Sequence, residues 1–251
     1  MKPIPENFTE FLYWVKEQTE LFWSSNPTTS NNEFVCDDWI FEAKWMGLSE
    51  EQIHEVEKEY SLVFTPEHRD FLKILHTIDR KEPLAIGESP ETGIPFFYNW
   101  LTDEKELNEQ MTWPFRTVLE DVLQNDQVWL PSWGKRPASK EKLTAIVENW
   151  FKKTPLLIPL TSHRFLVSDL SLNYRPVLSI WGSDMIVYGQ HLRTYLLNEL
   201  QDHLNIKKMV YDQEDDCYYP ELTEEVRTIF EKETSFDKNK VIPHWQEMIS
   251  I

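Results

Sequence analysis

The sequence predicts an α+β protein in which N-terminal helices pack against a mostly antiparallel, curved β-sheet. Two observations predict this class. Residues 7–76 carry apolar side chains at three- and four-residue spacing, which is typical of amphipathic helices. Residues 156–188 contain short apolar runs separated by turn residues, which is typical of hairpin strands. Helices followed by neighbouring strands favour α+β over an alternating α/β arrangement.

The first predicted helix covers residues 7–23, and Asn7 is placed to cap its beginning. The polar stretch 24–32 has the composition of a loop. Residues 34–46 are apolar and aromatic, and Gly47 is predicted to cap the end of that segment, because glycine favours the position just past a helix.

The next two predicted helices together cover residues 49–76. Ser49 and Gln52 form a capping box, in which each side chain bonds to the backbone N–H group of the other residue. Thr65 and Pro66 open the second of the pair as N-cap and first helical residue.

Beyond residue 83 the apolar period changes, and strands and helices are interspersed. Strands are predicted at 84–86, 94–98, 156–160, 164–167, 177–181 and 185–188. Helices are predicted at 102–110, 139–152, 190–203 and 223–233, with Thr102 and Thr223 as caps. Residues 114–126 fit neither pattern clearly, and Gly182-Ser183 fits a two-residue hairpin turn.

Charge and composition exclude several classes of function. The 251 residues include 43 acidic and 25 basic side chains, which gives a net charge of -18 and argues against binding to nucleic-acid phosphates. An acidic surface favours encounter with a basic protein partner, although it also serves solubility alone. Only 6 residues are glycine, and no phosphate-binding glycine loop occurs, so no cofactor is predicted.

The cysteine pattern and the hydropathy predict a cytoplasmic protein. Cys36 and Cys217 are far apart in the sequence, unlike the dense spacing of secreted disulfide scaffolds. The N-terminal residues do not resemble a signal peptide. No apolar run has the roughly 18 residues of a membrane span, so no membrane partner is expected. A monomer is favoured.

One cluster combines aromatic side chains with a cation. Its residues are Trp129, Trp133, Gly134, Arg136 and Pro137. Such a cluster could be a recognition surface, because tryptophan and arginine are frequent hot spots. A structural role is favoured, in which both indoles pack in the core and Arg136 pairs with a carboxylate.

A second group could carry chemistry but lacks the usual motifs. His163, His191 and Asp184 could ligate zinc, yet no standard zinc-ligand spacing is present. His163 and Arg164 are expected to bond to carbonyls or to Asp184. Ser162 precedes His163, and adjacent side chains on a strand face opposite ways, so a Ser–His pair is not expected. Paired carboxylates for glycoside hydrolysis cannot be singled out among so many acids. The chain is therefore predicted not to be an enzyme.

Acidic residues concentrate in three places, near residues 50–59, 103–109 and 212–216. Most charge on helix faces is ordinary solvated surface. The third group is more suggestive, because tyrosines flank it and could contact a basic partner. The candidate partner-binding residues are Glu50, Glu51, Glu55, Asp103, Glu104, Asp212, Glu214, Asp215, Asp216 and Tyr218.

Several of these segments together resemble one known family. Residues 45–53 and 64–72, with the W-G-x-R-P, H-R-F and D-x-I-x-Y-G elements at 133–137, 163–165 and 184–189, are similar to the SUKH superfamily. That superfamily includes Smi/Knr cell-wall-assembly regulators and bacterial immunity proteins. Val128 and Phe165 depart from the residues typical of those positions, and the segment after Leu72 lacks an Asn-Gly pair that the wider family often has.

The resemblance implies an α+β domain that binds proteins and, in its bacterial branch, neutralises a toxin, often a nuclease. It divides the chain into an N-terminal helix and linker at 1–33, a SUKH-like domain at 34–204, and an acidic helical extension at 205–251 packed on that domain. Its motif residues, expected to be structural, are Trp45, Gly47, Trp129, Trp133, Gly134, Arg136, Pro137, His163, Arg164, Asp184, Tyr188 and Gly189.

Three functions follow from the sequence. The first is an immunity protein that binds a basic toxin domain. The second is a SUKH-type scaffold or regulator with a different protein partner. The third and most remote is a metal-dependent hydrolase.

Overall fold

A computed structural model describes residues 3–25, 36–84, 93–234 and 240–249. The helices in these residues are α1 (Phe8–Trp23), α2 (Glu50–Glu59), α3 (Pro66–Ile74), α4 (Glu104–Gln124), α5 (Lys140–Phe151), α6 (Leu192–Glu199), α7 (Glu224–Thr234) and α8 (Trp245–Ile249). Short 3-10 helices occur at Asp38–Ile40 and Pro131–Trp133.

The strands of the described residues pair antiparallel in four small sheets. They are β1 (Trp45–Met46), β2 (Thr77–Ile78), β3 (Lys81–Glu82), β4 (Ile94–Pro95), β5 (Leu156–Thr161), β6 (Arg164–Ser168), β7 (Val177–Trp181), β8 (Asp184–Gly189), β9 (Lys207–Asp212) and β10 (Cys217–Leu222). Strand β1 pairs with β2, β3 with β4, and β9 with β10, while β5 to β8 form a four-stranded sheet in chain order. The predicted α+β class is confirmed.

The chain divides into two compact units. Unit 1 contains Met1–Asn99 and Leu192–Ser235, and unit 2 contains Trp100–His191 and Phe236–Ile251. These units do not follow the boundaries at 33/34 and 204/205 that the family resemblance implies, and that division stays a prediction. Among the described residues, no helix has the length and apolar character needed to cross a membrane.

The helix beginnings predicted at Asn7, Ser49 and Thr65 in unit 1 are confirmed. The Asn7 side chain accepts a hydrogen bond from the Glu10 N–H group at the start of α1. Both bonds of the capping box between Ser49 and Gln52 are present at α2, and the Thr65 hydroxyl caps α3. These local bonds satisfy backbone donors that the first turn of a helix leaves without partners.

The core of unit 1 is rich in aromatic rings, some of which donate hydrogen bonds. Trp45 donates its indole N–H to the Thr19 hydroxyl at 2.7 Å, and Trp23 donates its own to His203 Nδ1 at 3.1 Å. The rings of Trp23 and Trp45 lie 5.5 Å apart, and Phe97 packs 5.8 Å from Trp45. Burial of such large rings favours folding, and a hydrogen bond to the indole N–H group offsets the cost of removing that donor from water.

The prediction that Gly47 caps a helix is wrong. Gly47 follows strand β1, and a Cβ atom placed there would lie 1.9 Å from the Lys73 carbonyl oxygen. Next to it, the Leu48 N–H group donates to the Leu72 carbonyl at 2.9 Å. Glycine is therefore required because two backbone segments approach closely, which is a tertiary reason that local spacing does not reveal.

Residues 104–124 form one continuous helix, where the sequence suggested a short helix and an ambiguous segment. Its N-cap is the buried Asp103 and not the predicted Thr102. Pro114 lies inside the helix, where it removes one backbone hydrogen bond. The helix continues because Val118 and Val122 are fully buried in the core of unit 2 and α4 packs on β5 and β7.

The four-stranded sheet of unit 2 has the predicted strands and the predicted turn. Phe165 pairs with Leu178, and Ile180 pairs with Met185, so these four side chains share the face that enters the core. Helices α4 and α8 pack on this sheet within unit 2. Gly182 has a φ of 63° in the β7–β8 turn, which glycine adopts without strain.

Several elements were missed, including the β9–β10 hairpin, helix α8 and the two-residue strands β1, β2 and β3, and one prediction falls partly outside the described residues. The β9–β10 hairpin lacks clean alternation because it is largely exposed, and its sequence includes Pro220 and paired tyrosines. Helix α8 is only five residues long and shows no repeated apolar period. Of the predicted strand 84–86, residues 85 and 86 lie outside the described part of the chain, as do residues 26–32 of the predicted loop.

Candidate protein-binding surfaces

Residues 211–219 form the tip of the β9–β10 hairpin, here named the hairpin tip. The Asp212 carboxylate accepts hydrogen bonds from the N–H groups of Glu214 at 2.7 Å and Asp215 at 3.3 Å, which closes the turn. Asp216 has a φ of 51°, a left-handed conformation that aspartate tolerates better than most residues. The turn is therefore held by its own acidic residues.

Three exposed tyrosines surround these acids. The rings of Tyr211 and Tyr218 lie 5.1 Å apart, and Tyr219 donates its hydroxyl proton to Asp215 at 2.8 Å. Tyr211 donates its hydroxyl proton to Asp216, and this bond raises the pKa of the phenol. Hydrogen bonding to Cys217 and then to Asp215 raises the pKa of Tyr219 as well.

The hairpin tip thus combines a fixed set of rings with concentrated negative charge. Its nine residues include four carboxylates and no lysine, arginine or histidine. Aromatic side chains supply large contact area, and the carboxylates can accept charge-assisted bonds from lysine or arginine. The predicted residues Asp212, Glu214, Asp215, Asp216 and Tyr218 are therefore brought together here, with Asp212 shaping the turn and the other four exposed.

The acidic residues predicted on α2 are differently placed. Glu50 pairs with Lys73 at 2.7 Å and with Arg69, and hydrogen bonds from these two cations hold its pKa below the usual range. Glu51 also has a lowered pKa, through its own backbone N–H and the Ser49 hydroxyl, and Glu55 is exposed. Cations of α3 offset part of the charge of α2, so this surface is less negative than its sequence suggests.

The prediction that Asp103 binds a partner is wrong. Its side chain is completely buried at the beginning of α4, where the Thr102 hydroxyl donates to it at 3.3 Å. Its neighbour Glu104 is exposed. A run of acids at a helix beginning can therefore mix a buried cap with solvated side chains, because one residue turns inward at the N-cap.

The W-G-x-R-P cluster consists of Trp129, Trp133, Gly134, Arg136 and Pro137, and hydrogen bonds to backbone carbonyls hold it in place. Arg136 also forms the predicted ion pair with a carboxylate, at 3.1 Å from Asp126. Trp129 donates its indole N–H to the Gly134 carbonyl at 2.6 Å, and Gly134 has φ 75° and ψ -151°. Arg136 donates to the carbonyls of Val128 and Val122, and its guanidinium stacks 5.1 Å from the Trp129 ring. These contacts support the structural role expected from the resemblance.

An aromatic stack extends from this cluster into the core of unit 2. Trp133 packs 5.5 Å from Trp150, which packs 5.0 Å from Trp245 of α8. The Trp245 indole N–H donates to the Pro155 carbonyl at 3.1 Å. Glu247 accepts a bond from the Ser132 N–H at 2.9 Å, so α8 is tied to the same cluster.

The expectation that Ser162 and His163 do not meet is wrong. They form the turn between β5 and β6, where Ser162 has a φ of 44°, and its hydroxyl lies 3.0 Å from His163 Nδ1. The rule of opposite faces applies to extended strands and not to turns. Burial, and then the charge of Arg164, lower the pKa of His163.

The third predicted function, a metal-dependent hydrolase, would need a group of side chains that can bind a metal ion. No set of three or more His, Cys, Asp or Glu side chains there is arranged to hold a metal ion. Arg164 donates to the Ser179 hydroxyl at 2.8 Å and stacks 3.7 Å from the Tyr188 ring. Asp184 instead begins β8 opposite Trp181.

Sequence reasoning missed one exposed aromatic residue. Trp181 ends β7 and is 64% exposed, and Ile186 on β8 is 53% exposed. Strand alternation contained the signal, because Ile180 points into the core and its neighbour must then point away from it. A strand that ends in an outward tryptophan could have been singled out on that basis.

Comparison of the chain with protein-family models, with curated proteins and with solved structures gives no match. The resemblance to the SUKH superfamily therefore stays a prediction. The functional argument depends on the chemistry of the surfaces described above.

Proposed function

We propose that this chain is a non-enzymatic protein-binding module of the cytoplasm, and that it is an immunity protein which neutralises a bacterial toxin by direct binding. The partner is a basic toxin domain, with nucleases as the leading candidates. The observation that carries the proposal is the hairpin tip, where three exposed tyrosines and four carboxylates lie within nine residues.

The chemistry of the tip fits a basic partner in two ways. Its carboxylates, within a chain of net charge -18, attract lysine and arginine side chains and accelerate encounter with a positive surface. Its tyrosines offer rigid apolar area of the kind that dominates interface energies. A toxin that binds nucleic acid presents a basic cleft, because phosphate recognition requires lysine and arginine.

The pairing of rings and acids also reduces the cost of binding. Tyr211 and Tyr219 are already bonded to Asp216 and Asp215, and the Asp212 carboxylate closes the turn. Side chains that are ordered before binding lose less conformational freedom in the complex.

The test is isothermal titration calorimetry, in which the purified chain is titrated with the toxin domain encoded beside its gene. We expect one-to-one binding that weakens when NaCl rises from about 50 to about 300 mM, because salt screens charges beyond the Debye length. Replacement of Tyr218 by alanine is expected to weaken the complex at least about tenfold, as for an interface hot spot.

A matched pair of charge variants tests the location. The variant E214Q/D215N/D216N neutralises three exposed acids of the hairpin tip, and E104Q/E106Q/E109Q neutralises three exposed acids of α4. Both change the net charge equally, so long-range steering changes alike. We expect the tip variant to lose far more affinity. Equal losses would show that the tip is not the docking surface, and no binding by the unmodified chain would overturn the proposed toxin partner.

A further inference from the structure

An exposed apolar patch lies on one face of the four-stranded sheet. Of the tryptophans in the described residues, Trp181 alone is mostly exposed. It lies in register with Asp184, and Ser179 lies in register with Ile186, so Trp181, Asp184 and Ile186 project from the same face of β7 and β8. We name these three residues the tryptophan patch.

The indole of Trp181 is held in place from two sides. The ring of Trp113 on α4 packs 5.4 Å away at 61°, and the ring of His163 packs 5.8 Å away at 88°. Trp113 is itself anchored, because its indole N–H donates to the Ile180 carbonyl at 3.2 Å. An exposed ring that is already fixed loses little freedom when a partner covers it.

Neighbouring rings in unit 2 already carry arginines of this chain. The Arg164 guanidinium lies 3.7 Å from the centre of the Tyr188 ring, and that of Arg116 lies 5.4 Å from the centre of the Trp113 ring. Among the described residues, no cation lies over Trp181. Tryptophan is the best of the three aromatic residues at binding cations on its face.

We propose that the tryptophan patch is a docking site for an arginine side chain of a partner protein. The guanidinium stacks on Trp181 and donates hydrogen bonds to the Asp184 carboxylate, while Ile186 contacts the aliphatic stem. This inference rests on the proposed function, because it takes the basic character of the partner from there.

Charge complementarity selects this occupant over an acidic segment. Asp184 is exposed beside the indole, and Asp121 adds a second carboxylate at the β7–β8 turn, where it accepts bonds from Ser183 at 2.6 and 2.8 Å. Arg116 and Arg164 are stacked on their own rings, and the chain as a whole carries a net charge of -18. A partner arginine would therefore find an opposite charge in Asp184, whereas an acidic segment would meet a like charge there.

The test follows Trp181 directly by fluorine NMR of the full chain labelled with 5-fluorotryptophan. The chain has 11 tryptophans, and the W181F variant identifies the Trp181 resonance by its disappearance. The probes are a synthetic peptide of alternating Gly-Ser and Arg-Leu pairs, and the same peptide with glutamate in place of arginine. We expect the arginine peptide to shift the Trp181 resonance saturably and the glutamate peptide to leave it unchanged.

Variants then assign the contact. D184N is expected to raise the dissociation constant about two- to fivefold, the size of an exposed cation–π or ion-pair contribution. L170A is the matched control, because Leu170 is 60% exposed in the same unit and lies outside the patch; it should change nothing.

Three results would overturn the inference. The Trp181 resonance could shift no more than that of the buried Trp245, or it could shift equally with the glutamate peptide. It could also shift on dilution of the protein alone, which would show that a second copy of the chain covers the patch. The peptide measurement needs no toxin. A retained Trp181 shift without toxin binding would therefore reject the proposed function alone, and unchanged toxin binding by W181A without that shift would reject this inference alone.

Discussion

The W-G-x-R-P cluster and the hairpin tip both interleave aromatic rings with charged side chains, yet their polar atoms end in different places. In the cluster, Trp129 and Arg136 donate to backbone carbonyls of their own unit. In the tip, the tyrosines and acids bond to one another and otherwise remain exposed. The comparison teaches that composition alone does not distinguish a structural cluster from a binding surface.

The physical difference lies in desolvation. A partly buried guanidinium must be hydrogen-bonded, because an unsatisfied buried charge is costly. Arg136 therefore uses its donors within the fold and does not offer them to a partner. The carboxylates of the tip stay hydrated and can exchange water for a partner. Substitutions in the two regions should therefore change the stability of the protein by very different amounts.

The largest effect is expected from replacing Arg136 with alanine. The change leaves the Val122 and Val128 carbonyls without their donor and removes the stacking on Trp129, and we expect a loss of about 3 kcal/mol in the free energy of unfolding. Urea unfolding followed by circular dichroism measures it. The variant R136K should recover little of the lost stability, because the lysine ammonium group cannot replace the planar set of N–H donors of the guanidinium. A loss under about 1 kcal/mol would contradict a structural role for Arg136, because the residue would then contribute no more to stability than an ordinary surface residue.

The second effect is a loss of stability at acidic pH, which we expect to arise from a buried histidine and not from the hairpin tip. His68 is completely buried between Phe64 and Phe71, neither of its ring nitrogens has a hydrogen-bond partner, and burial lowers its pKa to about 3. The folded state therefore requires the neutral ring. The free energy of unfolding is unaffected by His68 above about pH 6.5, which is the pKa of histidine in the unfolded chain. It falls by about 1.4 kcal/mol per pH unit as the pH drops from there toward 3.

The variant H68L should remove that part of the acid sensitivity. Urea unfolding at about pH 7 and about pH 5 gives the slope. H54Q is the matched control, because His54 is exposed on α2. An unchanged slope in H68L, or an equal change in H54Q, would contradict the assignment of the effect to the buried ring.

The smallest effect on stability is expected from replacing Tyr218 with alanine. Tyr218 is 58% exposed, and its ring lies 5.1 Å from the Tyr211 ring, so we expect a change within about 0.5 kcal/mol. The same urea experiment measures it. A loss above about 1.5 kcal/mol would show that the tip, like the W-G-x-R-P cluster, serves the fold.

The elements that could be predicted from the sequence are those with local causes. The caps at Asn7, Ser49 and Thr65 depend on residues three positions apart, and the strands between residues 156 and 189 follow from short apolar runs and a Gly182 turn. The β9–β10 hairpin was missed because exposed strands need no alternation between apolar and polar side chains.

The candidate site could be predicted only in part. Asp215, Asp216 and Tyr218 are close in sequence and remain close in the fold, so their grouping was visible from the start. Asp103 looked equivalent to its acidic neighbours, and only the packing of α4 shows that it is buried.

Local patterns in the sequence are enough to predict the α+β class, several helix beginnings, the acidic character and the concentration of acids and tyrosines at residues 211–219. Which charges are already paired and which rings are exposed depends on the packing of distant segments. Glu50 finds Arg69 nineteen positions away, and Asp121 finds Ser183 sixty-two positions away. Such partners are set by how the segments pack, because a side chain bonds to whatever the fold brings within reach.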